Sequence, residues 1–241
     1  MRKVIILTAI LGIYCETSLA INAIGPPIAT LKKGQFAIGF DYSFTEVDVE
    51  VSGYGVSAKL DDVEFESYLG KIGYGITHNW DIFGHFGSAN IEWKEGAAKF
   101  DDNTKFNVGF RTKATIIEEK PFPWGLALQV NWLQKAKESF TILEEYSGSV
   151  DVDIWEIQIA TGPTCKIGPV CIYGGPFVYF VRGDLELEAL GYNYSFDIEE
   201  ESIFGGFAGA QLDIGNNIST NIEYQLTSDS YAFGLGIVYK F

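Results

Sequence analysis

The feature that most constrains this chain is an alternation of period two that returns from one end to the other. The final residues, YAFGLGIVYKF, set Tyr231, Phe233, Leu235, Ile237, Tyr239 and Phe241 on one face. Ala232, Gly234, Gly236, Val238 and Lys240 fall on the other. GQFAIGFDYSF does the same with Phe36, Ile38, Phe40, Tyr42 and Phe44 against Gln35, Ala37, Gly39, Asp41 and Ser43. SYLGKIGYGI, KFNVGFRTK, WGLALQVNW, WEIQIA and NISTNIEYQL repeat the pattern, each with glycine, an amide or a charge on its second face. Such segments are strands with one greasy face. Left bare in water, that face and its edges would template aggregation, so either a second sheet or lipid must cover it.

The connections choose between these covers. Short joints fall at residues 77–80, 119–124, 166–170 and 215–217, and longer polar segments at 45–62, 94–104, 138–150 and 183–199, with a brief link at 227–230. Alternating short and long connections are the habit of a membrane barrel, with short turns on one side and long loops on the other. The expected fold is therefore all-β: a transmembrane antiparallel up-and-down β-barrel of ten strands, with eight as the alternative. The strands fall near 34–51, 63–76, 80–93, 104–117, 124–137, 150–163, 169–182, 200–214, 217–226 and 230–241. The alternation shifts phase near Gly87-Ser88 and around Gly174-Gly175-Pro176, which leaves the registers of strands three and seven open. A soluble β-sandwich is the competing reading. Trp80, Trp93, Trp124, Trp132 and Trp155 stand at strand ends or on the greasy face, where a membrane barrel would place aromatic girdles.

The chain begins MRKVIILTAILGIYCETSLA: two basic residues, an apolar run too short to span a bilayer, then a small-residue cleavage site. Residues 1–20 read as a signal peptide cut after Ala20, with Ala23 as second choice. Bulky Tyr14 argues against lipoprotein cleavage at Cys15. Residues 21–33 read as a short N-terminal periplasmic segment and 34–241 as one barrel domain. Loss of Arg2, Lys3 and Glu16 leaves 15 basic and 31 acidic residues, a net charge of −16. That surface excludes a nucleic-acid partner. Cys165 and Cys171 flank KIGPV; in a hairpin centred on Gly168 they would lie opposite each other, and an oxidising compartment predicts a disulfide between them.

The last strand, closing on Phe241, resembles the C-terminal signature of bacterial outer-membrane β-barrel proteins. GYGITHNWDIFGHFG (73–87) is similar to the hairpins of small porin-like and opacity-type barrels. The resemblance implies the bacterial cell outer membrane as location and outer-membrane lipid and lipopolysaccharide as surroundings. It also implies an assembly machinery that reads Phe233, Leu235, Ile237, Tyr239 and Phe241.

With the greasy face outward, the lumen receives Asp41, Lys71, Arg111, Lys113, Glu156, Asp213 and Glu223, with Asp81, His85, Arg182 and Lys240 as further candidates. A narrow barrel cannot bury lone charges, so these predict a structural network of ion pairs. A narrow porin-like channel for ions or small solutes is the alternative, since lumen glycines (Gly39, Gly73, Gly75, Gly109, Gly209, Gly234, Gly236) could leave a thin water path. Hydrolases are the weakest reading. Omptin-like proteases work at the outer rim, but His78 falls in a periplasmic turn and His85 low in strand three. A deacylase-like His85–Ser88 pair would need a bulge at Gly87. No catalytic residue, cofactor or metal site is expected. Segments 45–66, 138–153 and 182–202 hold 19 of those 31 acids, against Lys59 and Arg182 as bases. The expected function is a non-enzymatic outer-membrane barrel whose acidic outer loops contact the surface or an extracellular protein partner.

Overall fold

The computed structural model describes residues 22–53, 56–93, 105–119, 121–142, 146–189, 192–199, 203–215, 217–228 and 230–241. The expected signal peptide lies outside the described residues. Eleven strands follow in order: β1 (Phe36–Gly53), β2 (Val56–Gly75), β3 (Trp80–Trp93), β4 (Lys105–Ile117), β5 (Trp124–Ile142), β6 (Tyr146–Ile167), β7 (Val170–Ala189), β8 (Tyr192–Glu199), β9 (Ile203–Ile214), β10 (Ile218–Leu226) and β11 (Ser230–Lys240). Each pairs antiparallel with its neighbour, and β1 pairs with β11 from Ala37↔Lys240 to Val47↔Ser230, closing the sheet on itself. β9 pairs with β7 along 170–179 and β8 pairs with it along 182–189, so β8 and β9 form the outer and inner lengths of one stave. The result is a closed ten-stranded up-and-down barrel. Within the barrel, closure leaves no sheet edge facing lipid, which is what lets a β-structure span a membrane.

The alternation is carried through inside out. Phe40, Ile72, Phe86, Ile157, Ile222, Leu235 and Ile237 face outward and exposed, while Ser43, Lys71, Arg111, Gln129, Glu156 and Glu223 are buried within. An apolar exterior around a polar interior is the arrangement that lipid rewards and water penalises. Tryptophans mark its borders. The Trp80 and Trp124 indoles donate to the hydroxyls of Thr112 (2.6 Å) and Thr161 (2.8 Å) at the short-turn end. Eight residues further along β5, Trp132 stacks on Trp155 (5.7 Å between centroids) and donates to Asp153 (2.7 Å). At ~3.3 Å per residue that is about 26 Å of strand, close to the height of an outer-membrane apolar band before tilt is allowed for.

The two registers that the sequence leaves open are settled, and the long connections prove to be paired. The register of β2 against β3 runs unbroken from Val63↔Trp93 to Gly75↔Asp81, so no bulge forms at Gly87. β7 also keeps one register: its ladder with β6 only skips between Ala160↔Phe177 and Thr164↔Tyr173, where Pro163 and Pro176 supply no N–H. Tyr173, Phe177 and Tyr179 therefore all point inward and are buried, so this stretch of the lumen wall is aromatic. Segments 45–62, 138–150 and 183–199 are less loop than strand: pairing continues to Gly53↔Val56, Ile142↔Tyr146 and Ala189↔Tyr192, making three long hairpins beyond the belt.

The expected disulfide is absent; both cysteines are free. Gly168 takes φ 60° at the first position of a two-residue turn, as type II′ geometry requires. The hairpin is thus centred between Gly168 and Pro169, not on Gly168. Cys165 pairs with Ile172 and Cys171 with Lys166, so the two thiols lie on opposite faces of the sheet. Denaturing the refolded protein without reductant and alkylating it should label both cysteines; a mass showing neither labelled would restore the bridge.

Candidate functional site

The lumen is occupied by the chain itself. Residues 22–31, from the stretch 21–33 expected as a short N-terminal periplasmic segment, run up its interior from the short-turn end. Asn22, Ala23 and Ile24 are 1%, 4% and 1% exposed. The reason is chemical. An irregular backbone inside a barrel must find partners for its N–H and C=O groups, and the lumen wall provides them.

Two carboxylates act as clamps. Glu223 accepts the N–H of Ile24 through Oε1 and that of Gly25 through Oε2, each at 2.8 Å. Asp81 Oδ2 accepts the N–H groups of Thr30 (2.6 Å) and Leu31 (3.1 Å) and the Thr30 hydroxyl (3.2 Å). Around them, the Ala23 N–H donates to Ser43 Oγ (3.2 Å) and the Ala29 N–H to Thr115 Oγ1 (3.2 Å). Arg111 Nη1 donates to the Ile24 carbonyl (3.2 Å), and Gln225 Nε2 to the Asn22 carbonyl (3.3 Å). The space comes from glycine. A Cβ on Gly75 would strike the Lys32 carbonyl, one on Gly125 the Pro27 carbonyl, and one on Gly234 the Cβ of Ala23.

The charged residues do not form one network. Asp41 binds Lys71 Nζ through Oδ1 and Arg111 Nη1 through Oδ2 (3.4 Å), all three side chains buried, and Arg111 Nε donates to Gln129 (2.5 Å). Lys113 lies over the Phe83 ring at 5.9 Å, and Glu223 serves the segment and takes a hydrogen bond from Gln225 (2.6 Å). Glu156 accepts a hydrogen bond from Asn131 Nδ2 at 3.1 Å. Asp213 sits at the short-turn mouth, where Lys166 pairs with it at 2.7 Å. Of the further candidates, Asp81 is a clamp, Lys240 lines the mouth, and Arg182 is exposed on the outward-facing register of β7. His85 points inward against Asn131, while Ser88 pairs across to Tyr68 and Phe106 on the lipid-facing register. The structure does not bring His85 and Ser88 together. Leu235, Ile237, Tyr239 and Phe241 of the terminal strand are exposed toward lipid, Phe233 partly so. Asp61 and Asp62 lie in β2 with undescribed side chains, and Asp101 and Asp102 lie outside the described residues.

A closed ten-stranded barrel with an apolar belt, aromatic borders and a polar, filled interior defines an integral outer-membrane β-barrel protein. No family model and no curated protein matches the chain. Among solved structures it is similar to the translocator domain of the autotransporter NalP from Neisseria meningitidis, at TM-score 0.56 and 11% identity over 88% of this chain and 90% of that one. The outer membrane protein AlkL, solved in lipid bilayers, gives TM-score 0.51 and 14% identity over 88% and 92%. The outer membrane protease OmpT from Escherichia coli gives 0.49 and 11% over 88% and 99%. At these identities the likeness to NalP and AlkL shows the fold alone, and it is that of bacterial outer-membrane barrels.

Proposed function

We infer that this protein is a non-catalytic outer-membrane barrel with a closed lumen, whose acidic outer hairpins carry its role by contact with a basic partner at the cell surface. The observation that carries this reading is the seating of residues 22–31 in the lumen, clamped by Glu223 and Asp81. A channel protein would leave that path to solute. Here the polar wall is spent on the chain's own backbone, and the acids that remain are concentrated in the hairpins beyond the belt. Strands β1–β2, β5–β6 and β7–β8 pair out to their tips, which gives those acids a sheet to stand on. Carboxylates at high density attract cationic chains over about a Debye length, some 8 Å at physiological salt.

Binding of a fluorescent oligo-lysine to the refolded protein tests this. Exchanging Asp184, Glu186, Glu188, Asp197 and Glu199 for their amides should weaken it about tenfold or more. Raising salt to about 0.5 M should do the same to the parent protein. Equal binding by the neutralised variant would sink the proposal.

A further inference from the structure

Below the inner segment the lumen widens into a cavity of about 730 Å³ at the short-turn mouth. It opens inside the ring of turns, so its access is from the aqueous side and not from lipid. Its charge runs against that of the chain, which carries a net −15. Lys32 of the segment, Lys166 of β6 and Lys240 of β11 all line it, with Asp213 as the acid among the lining residues. That carboxylate is fully engaged: Lys166 Nζ donates to Oδ2 at 2.7 Å, while Ser219 Oγ (2.8 Å) and Gln211 Nε2 (3.0 Å) donate to Oδ1. Among the described residues, no ion pair reaches Lys32 or Lys240.

A second feature of the same cavity is independent of charge. Thr164 lines it, is 2% exposed, and its Oγ1 has no hydrogen-bond partner among the described residues. Its own N–H is already given to the Pro123 carbonyl at 2.9 Å. A buried hydroxyl without a partner costs stability unless something else completes it. Pro26, Ile28, Pro121 and Pro123 also line the cavity and give it an apolar share with no hydrogen-bonding side chain.

We propose that this vestibule is a binding site for a small organic anion, a carboxylate or phosphate carried on a short apolar group. The anionic head lies between the Lys32 and Lys240 ammonium groups and takes the Thr164 hydroxyl as a further donor. The apolar part rests on the prolines and Ile28. The volume is that of a small-molecule site, and its mix of an apolar wall with a few convergent polar groups is what such sites use. Ammonium-to-oxyanion hydrogen bonds in a recess are stronger than neutral ones, so the head supplies most of the selectivity.

The test uses the full chain refolded in detergent, with phenyl phosphate as probe and benzyl alcohol as its neutral counterpart, read by ligand-observed NMR titration. Phenyl phosphate should bind at least tenfold more tightly than benzyl alcohol. The double variant Lys32→Gln/Lys240→Gln should lose about tenfold or more, and Thr164→Val several-fold. Lys33→Gln, beside the cavity but not lining it, should bind as the parent does, and heat-modifiable gel mobility should show every variant folded. Equal affinity in the parent and the folded double variant would overturn the proposal, as would benzyl alcohol binding as well as phenyl phosphate.

Discussion

Deleting residues 22–33 should turn a silent barrel into a conducting one. In planar bilayers the refolded parent is expected to give no discrete steps and the deletion variant stable unitary ones. The segment is the largest object in the lower lumen, and the wall around it is built to be wet. Glu223, Asp81, Ser43, Thr115 and Arg111 all spend hydrogen bonds on its backbone. Without it, those groups need water. Space for that water exists because Gly75, Gly125 and Gly234 carry no side chain where the segment passes. Ten strands lie between barrels of about eight, which side chains fill, and those of 16–18, which stay open, so one strap of chain can decide the matter. A point variant should act in the same direction: Gly234→Leu drives a side chain into Ala23 and should produce intermittent openings. If the folded deletion variant stays silent, the aromatic wall of Tyr173, Phe177 and Tyr179 is the true barrier and the segment only a brace.

The second large effect is expected at Asp41. Asp41→Ala removes the one carboxylate shared by Lys71 and Arg111, leaving two buried cations without their anion. Breaking a buried pair in this way costs roughly 3–5 kcal/mol, because the abandoned charges keep their desolvation cost. The measurement is the urea midpoint for loss of heat-modifiable mobility. The double variant Asp41→Leu/Lys71→Leu should recover much of the loss, since an apolar pair of similar volume replaces a buried ion pair at little cost. Arg111 keeps Gln129 and the Ile24 carbonyl as partners in that background. A single variant weakened by less than about 1 kcal/mol would mean that water reaches the cluster and screens it.

The sequence announced the staves because lipid reads them one residue at a time. Phe36, Ile38 and Phe40 alternate with Ala37, Gly39 and Asp41, and no tertiary contact is needed to know that two faces with such different solubilities have different neighbours. Strand seven was harder. Tyr173, Phe177 and Tyr179 are as greasy as the outward residues, and only the shared ladder with β6 and β9 shows that they fill the lumen. The cysteines failed for a related reason. A one-residue difference in turn centre sends Cys165 and Cys171 to opposite faces, and KIGPV permits either centre.

The inner segment was the largest thing hidden. INAIGPPIATL has no period and no charge, and nothing in it says which side of a wall it occupies. Its partners sit far away along the chain: Glu223 reaches back 199 residues to Ile24, and Asp81 reaches 51 to Thr30. The glycines of the lumen face were visible as gaps, but a gap in a strand does not say what fills it. The sequence by itself determined the barrel, its inside-out polarity and most of the charged residues of its interior, because period-two hydropathy is local and a membrane enforces it strand by strand. Only the tertiary structure decided what that interior holds, because a contact between an aperiodic segment and a curved wall exists only after ten strands have closed.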